Sequence, residues 1–487
     1  MNGRKFKNKF DLYRFLDLKR QEIFLELKKA AKEIGISEEH KGKIGATGAI
    51  SSTHSTLRKE VIKEVTESMK KVINSAVYLE KLRDLIKDVY GDNYDATPVS
   101  TCEAALWVCF DSLVTPAFQG RGDKSIVRYI VPYEKHLHHH GAYGRPFPPK
   151  YKDLFSDRGV TAGELGFYGK RLENLETVIV PLVGAKYEVH GIKEFTTPLL
   201  LGVNAKESYQ KIKTTAERHA DKLAAFASLG YDLPGYGYGE KDDKGAPLLQ
   251  KYLGKLSKEY DIPYIVDNAW GLPIIGTDLR QTNASLILYS MDKVAGAPTS
   301  GLIIGEEEYM INILRALGMH SQRYGIKKAY GKAAYVTLDP GKEAIAGQVA
   351  TLSQIKEDPS IISKPLEELY NITLEVFESF PLRDKLVISK SLNSFAVEIN
   401  YEKTWDEGRV GIPIFTIEDM YAGSNLIQEG MKVMGIIPTI AYDANIMLSP
   451  GLGTLDEEGN LIHENAEIVV KAIYKILEIF GKYVGLF

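Results

Sequence analysis

Between residues 262 and 306 the chain alternates short apolar runs with polar turns. Tyr264–Val266, Leu286–Leu288 and Leu302–Ile304 are apolar and of strand length. The first ends in Asp267; the second leads through Tyr289, Ser290, Met291 and Asp292 to Lys293. A turn of small residues, Ala295-Gly296-Ala297-Pro298-Thr299-Ser300-Gly301, joins the second run to the third. Short apolar runs punctuated by glycine and proline predict buried strands, with Asp267 and Lys293 at strand ends. Ser125–Val131, Thr177–Leu182 and Thr197–Val203 predict three more strands. Strands alternating with helical stretches predict an α/β domain with a mostly parallel sheet.

Elsewhere the period is helical. Leu12, Phe15, Leu16, Ile23, Phe24, Leu27, Ala30 and Ala31 recur at helix spacing within residues 1–42. Residues 43–56, KIGATGAISSTHST, read as a loop before a helix that starts near Leu57, and residues 96–110 as a turn into a helix. Residues 207–260 combine an alanine-rich helix, a turn at Gly230–Gly239 and a second helix near Leu248–Tyr260, which predicts an inserted helical pair. Residues 306–380 read as mainly helical. Short strands at Phe395–Ile399 and Met434–Ile437 and a last helix, Glu464–Phe480, suit a smaller α/β domain. The expected division is an N-terminal helical segment with its loop over 1–90, a large domain over 91–335 and a C-terminal small domain over 336–487.

Composition narrows the class. With 487 residues, 26% charged and a net charge of −3, the chain is ordinary for a globular protein. It has no run of eighteen apolar residues, and its first residues lack the apolar core of a signal peptide. Its two cysteines, Cys102 and Cys109, match neither zinc spacing nor a disulfide framework. A cytoplasmic location is expected. Residues 1–90 hold 20 Lys and Arg against 13 Asp and Glu. That surplus is what a solvated helical face carries; it would also suit an anionic partner such as tRNA, though no aromatic-interleaved basic motif supports one.

Candidate chemistry gathers around Lys293 and Asp267. A lysine and an aspartate at neighbouring strand ends are the equipment of a pyridoxal-phosphate (PLP) site: the lysine forms the Schiff base and the aspartate keeps the pyridine nitrogen protonated. Ser100, Thr101 and Cys102 open a helix, where free amides and the dipole suit a phosphate monoester, or serve as a plain N-cap. The cluster His136-Leu137-His138-His139-His140 offers a ring to stack on the cofactor, with His136 and His138 leading; a metal site and plain surface histidines are the other readings. Ser290 is a candidate for the cofactor phosphate, Asn204 for the ring hydroxyl, and Asn268 and Trp270 for the pocket wall. There is no G-x-x-x-x-G-K-[ST] and no strand leading into G-x-G-x-x-G, against a nucleotide-binding protein.

The order of phosphate cup, ring-stacking residue, strand-end aspartate and lysine resembles that of fold-type-I PLP enzymes, the aspartate-aminotransferase superfamily. The segment SMDKVAGAPTSGLIIG looks like the lysine motif of the selenocysteine-synthase-like branch, and Ile44-Gly45-Ala46-Thr47-Gly48 resembles the loop through which substrate enters in that branch. The resemblance implies a large domain with a mostly parallel seven-stranded sheet and a smaller C-terminal α/β domain. It implies an aldimine at Lys293, Asp267 as pyridine partner and Ser100–Cys102 as phosphate cup. It also implies an amino-acid or aminoacyl substrate, with β-replacement or elimination favoured, as a transferase or lyase. Aminotransferase, decarboxylase and C–S lyase activities of the same fold stay open, as does a non-catalytic scaffold or binding subunit that retains it. A homodimer or higher homo-oligomer is implied, with no membrane. The cup departs from the family, which usually has glycine where Thr101 or Cys102 stands. The stretch 443–453 lacks the arginine that takes the substrate carboxylate in many relatives, leaving Arg323 and Arg409 as candidates.

Overall fold

The computed structural model describes residues 9–46, 55–113, 128–133, 193–198, 204–218, 223–230, 239–318, 335–391, 395–405, 410–413, 426–439 and 444–487, with residues 6, 220, 393, 441 and 442. The expected strand at Thr177–Leu182 lies outside these residues. Seven strands form one large sheet: β1 (Tyr94–Val99), β2 (Arg128–Tyr133), β3 (Lys193–Pro198), β4 (Leu223–Leu229), β5 (Tyr264–Asp267), β6 (Leu286–Ser290) and β7 (Gly301–Glu306), in the order β1-β7-β6-β5-β4-β2-β3. From β6 through β5, β4 and β2 to β3 every pairing is parallel, whereas β7 is antiparallel to both β6 and β1. The α/β class holds, with a mixed sheet containing one reversed strand. Strands β1, β4, β5, β6 and β7 carry the described core, and β2 and β3 extend its edge.

Helices before and within the large sheet are α1 (Lys9–Glu33), α2 (Lys59–Lys70), α3 (Ala76–Tyr90), α4 (Cys102–Leu113), α5 (Ala205–Arg218), α6 (Leu248–Tyr260), α7 (Leu279–Thr282) and α8 (Glu307–Leu317). The sheet is buried on both faces, which explains its near-continuous apolar runs. Ile265, Leu286, Leu288 and Ile303 join the cluster under α4 and α8, while Tyr264, Val266, Ile287, Tyr289, Leu302 and Ile304 belong to the larger core opposite.

Three sequence expectations need correction here. Residues 207–260 are not an inserted helical pair, because β4 lies inside them, paired between β2 and β5. Its sequence, LAAFASL, favours helix by propensity, but parallel partners on both sides override it. Residues 96–110 are not simply a turn into a helix: they begin within β1, whose Pro98 is tolerated because β1 is an edge strand. The expected strands at 125–131 and 197–203 are offset, lying at Arg128–Tyr133 and Lys193–Pro198.

The C-terminal part contributes α9 (Lys342–Glu357), α10 (Ser360–Phe377), α11 (Leu426–Met434) and α12 (His463–Val484), with an antiparallel sheet of order β10-β11-β9-β8. Its strands are β8 (Val387–Ser391), β9 (Ala396–Asn400), β10 (Ala441–Tyr442) and β11 (Asn445–Leu448). Of the strand expected at 434–437, Met434 ends α11, Gly435 closes it at φ +99, and Ile437 makes an isolated parallel bridge to Gly45. Residues 1–90 divide between the two sheets: α1 packs on α11 and α12, and α3 packs on β1.

An ion pair fastens α3 to β1. Arg83 Nε donates to Asp95 Oδ1 at 2.7 Å, its Nη2 meets Oδ2, and Asp95 also accepts the Ala96 amide at 2.8 Å. The side chains are 12% and 2% exposed, and the bond to Asp95 raises the Arg83 pKa above its ordinary value. Removing one member strands the other's charge. Asp95→Ala is therefore expected to cost about 3 kcal/mol in urea unfolding, with the double Arg83→Ala/Asp95→Ala variant losing less than the two single losses combined.

Candidate functional site

Strands β1, β4, β5 and β6 share a direction, so their carboxyl ends lie along one edge of the sheet, where open α/β sheets bind ligands. Reversed β7 begins at that edge. Its first residue, Gly301, pairs with Val99, the last of β1, and with Ser290, the last of β6. One strand thereby joins the lysine turn to the start of α4. Side chains alternate along a strand, so Asp267, two past Ile265, and Ser290, two past Leu288, both turn to the face that α4 covers.

The contact at Gly301 is close. A Cβ there would stand 2.4 Å from the Thr101 carbonyl oxygen and 2.9 Å from the Cys102 nitrogen. Thr101 Oγ1 accepts the Ala104 amide at 3.0 Å as a helix cap, and the Ser100 amide donates to the Leu338 carbonyl at 2.7 Å. Helix α4 begins at Cys102, and the first turn of a helix presents amides that its own carbonyls cannot reach. Burial pushes the Cys102 thiol well above its ordinary pKa; the Asp267 carboxylate adds to this and Lys293 opposes it, with Asp292 and Glu103 contributing.

The lysine turn is stiffened from within. The Gly296 amide donates to the Lys293 carbonyl at 3.1 Å, and the Ala297 amide to the Met291 carbonyl at 2.8 Å. Gly296 sits at φ +72, a conformation side chains resist. Lys293 Nζ lies 5.8 Å from the ring centroid of buried Trp270, within cation–π range. Ser290 Oγ donates to Asp292 Oδ1 at 2.5 Å, both residues being buried. Asp267 Oδ1 accepts the Ala269 amide at 3.1 Å. The Asn268 side chain fills the space that Cβ atoms at Gly230 and Gly271 would need, and its Nδ2 donates to Asn393 Oδ1 at 3.4 Å, reaching the C-terminal sheet.

The fold therefore gathers Ser100, Thr101, Cys102, Asp267, Ser290 and Lys293, with Trp270 beside the lysine. Ser290 spends its hydroxyl hydrogen on Asp292, a buried acid that the sequence reading passed over although it stands inside the lysine motif. Asn204 is exposed and caps α5, accepting the Glu207 amide at 2.9 Å while Glu207 accepts the Asn204 amide at 3.2 Å. This is a capping box, legible in the spacing Asn-x-x-Glu. His136, His138, Arg323 and Arg409 lie outside the described residues. Arg58, buried against the lysine turn, was also missed; no local motif marks it.

Two measurements follow from the cup. Because its pKa is raised, Cys102 is expected to react with iodoacetamide at pH 8 more slowly than an ordinary thiol. Gly301→Ala forces the Thr101 carbonyl away from β7 and should speed that alkylation roughly ten-fold while costing about 2 kcal/mol of stability. Unchanged alkylation in the variant would refute the contact.

No family model and no curated protein matches the chain. Solved structures do. The complex of SepCysS with the SepCysE N-terminal domain matches at a TM-score of 0.52 and 13% identity, over 91% of this chain and 95% of that one. A transaminase from directed evolution by ancestral reconstruction matches at 0.51 and 13%, over 91% and 93%. At such identities the likeness is one of fold: the chain is structurally similar to the fold-type-I PLP-dependent enzymes, with no branch among them singled out.

Proposed function

We propose that this protein is a PLP-dependent enzyme acting on an amino acid or aminoacyl substrate, by replacement or elimination at the β-carbon, as a transferase or lyase. The observation that carries it is the register of reversed β7: Gly301 pairs with Val99 before α4 and with Ser290 before the lysine turn, while Asp267 at the end of β5 pairs with Leu288 of β6, so the start of α4, the carboxylate and the turn carrying Lys293 share one sheet edge. A phosphate, a pyridine nitrogen and an aldehyde need such a trio: amides at a helix start, a carboxylate and a primary amine. These residues fit the group. Gly301 brings the start of α4 against the lysine hairpin, and the face shared by Asp267 and Ser290 is the one α4 covers.

Bound there, PLP supplies an electron sink for the pair left when a bond at the substrate Cα breaks. The protein does the rest. Ser100–Cys102 at the start of α4 would hold the phosphate, and Asp267 would hold a proton on the ring nitrogen. Lys293 would attach the cofactor and then, displaced by the substrate amine, carry a proton at Nζ. Trp270 walls off water on one side of that amine.

The purified protein is expected to take up PLP with a visible absorption band. Borohydride should bleach the band and leave the cofactor mass on the peptide containing Lys293. Lys293→Ala should abolish the label, and Asp267→Asn should cut turnover roughly a hundred-fold or more while retaining it. A colourless protein that ignores added PLP, or label on another lysine, overturns the proposal. Band shifts across a panel of amino acids then identify the substrate.

Two partners belong to the same proposal. A homodimer or larger assembly would appear by light scattering as at least twice the 54.3 kDa chain mass. A tRNA partner requires binding tighter than to a generic polyanion at moderate salt.

A further inference from the structure

We propose that Arg58 is a positioning residue for Lys293, pinning the turn that carries the lysine to α9 of the C-terminal part. The effect on chemistry rests on Lys293 being the cofactor lysine; the pinning itself does not.

Arg58 directly precedes α2 and is 5% exposed. Its Nη2 donates to the Ala295 carbonyl at 3.1 Å, two residues beyond Lys293, and its Nε donates to Gln354 Oε1 at 2.8 Å on α9. The amide of Gln354 is oriented from its other end, where Nε2 donates to Glu60 Oε2 at 3.3 Å. The Arg58 stem lies along Gly459, where a Cβ would come within 3.3 Å of its Cδ. Its Nη1 faces Gly296, 3.5 Å from where a Cβ would stand.

Helix α9 also grips the rest of the turn. Thr351 Oγ1 donates to the Gly296 carbonyl at 3.4 Å and Gln348 Nε2 to the Gly301 carbonyl at 3.0 Å. Gly347 lets Pro298 come so close that a Cβ would meet its Cδ at 2.4 Å. Among these contacts Arg58 is the charged one and the one nearest the lysine in sequence. Among the described residues no carboxylate makes an ion pair with it, and burial lowers its pKa to about 10 against the pull of Glu60. A guanidinium held in a dry site by a carbonyl and an amide oxygen gains little as an ion-pair member. What it does supply is a rigid, forked link between two chain segments.

Hydrogen exchange of the cofactor-free protein tests this directly, since the Gly296 and Ala297 amides are bonded within the turn. Arg58→Ala should raise exchange in the peptide spanning 291–300 roughly ten-fold, with β6 and the body of α9 unchanged. Arg58→Lys, able to keep one of the two bonds, should fall between. If Arg58→Ala does not fold, Gln354→Leu removes the second anchor while leaving the cation, and should raise the same peptide a few-fold. An unchanged turn peptide, or a rise spread evenly over the fold, overturns the proposal. With PLP added, Arg58→Ala should form the borohydride-fixed label on Lys293 more slowly than wild type. If wild type takes no label at all, the cofactor assignment fails, while the exchange result stands by itself.

Discussion

Everything at the site depends on β7 running against both of its neighbours. A reversed strand placed between two parallel ones starts where they end. Gly301 therefore meets Val99 and Ser290 at once, and the helix that follows β1 opens beside the turn that follows β6. The price is a backbone contact too tight for any side chain at Gly301. In return, a helix start, a carboxylate and an amine from segments nearly two hundred residues apart stand along one sheet edge.

Around that edge the structure invests in buried polar groups. Asn268 is wedged between Gly230 and Gly271 and reaches Asn393, whose Oδ1 also accepts from the Thr277 amide and hydroxyl at 3.2 and 2.7 Å. Arg58 and Gln348 tie the lysine turn to α9. Buried polar groups of this kind are costly unless satisfied, and satisfied they fix geometry. The large sheet is thus tied to the C-terminal part by directional bonds at two places, at Asn268 next to Asp267 and at the turn after Lys293.

The parts of the fold legible in sequence were those where local pattern and tertiary environment agree. β5, β6 and β7 are short, β-branched or leucine-rich and bounded by glycine, proline or aspartate, so their runs announced the strands and placed an acid and an amine at or just beyond their ends. Where the two disagree, the pattern misled. LAAFASL has the composition of a helix and is a central strand, because flat pairing on both sides favours small side chains that let helices pack close. Asn204 caps α5, a local bond that the sequence itself spelled out in the spacing Asn-x-x-Glu.

By itself the sequence determined where a reactive amine, an acid and small hydroxyl residues fall: Lys293 and Asp267 at or just beyond strand ends, Ser100 and Thr101 before a helix. Their spacing along the chain sets what each can donate or accept, which is a local property. Only the tertiary structure decided that they meet, because strand order and the reversal of β7 are set by non-local pairing. The same holds for Asp292 bonding to Ser290 and for Arg58 reaching the lysine turn from 237 residues away. Nothing in a local motif encodes a contact that exists only once two distant segments are packed in the same dry place.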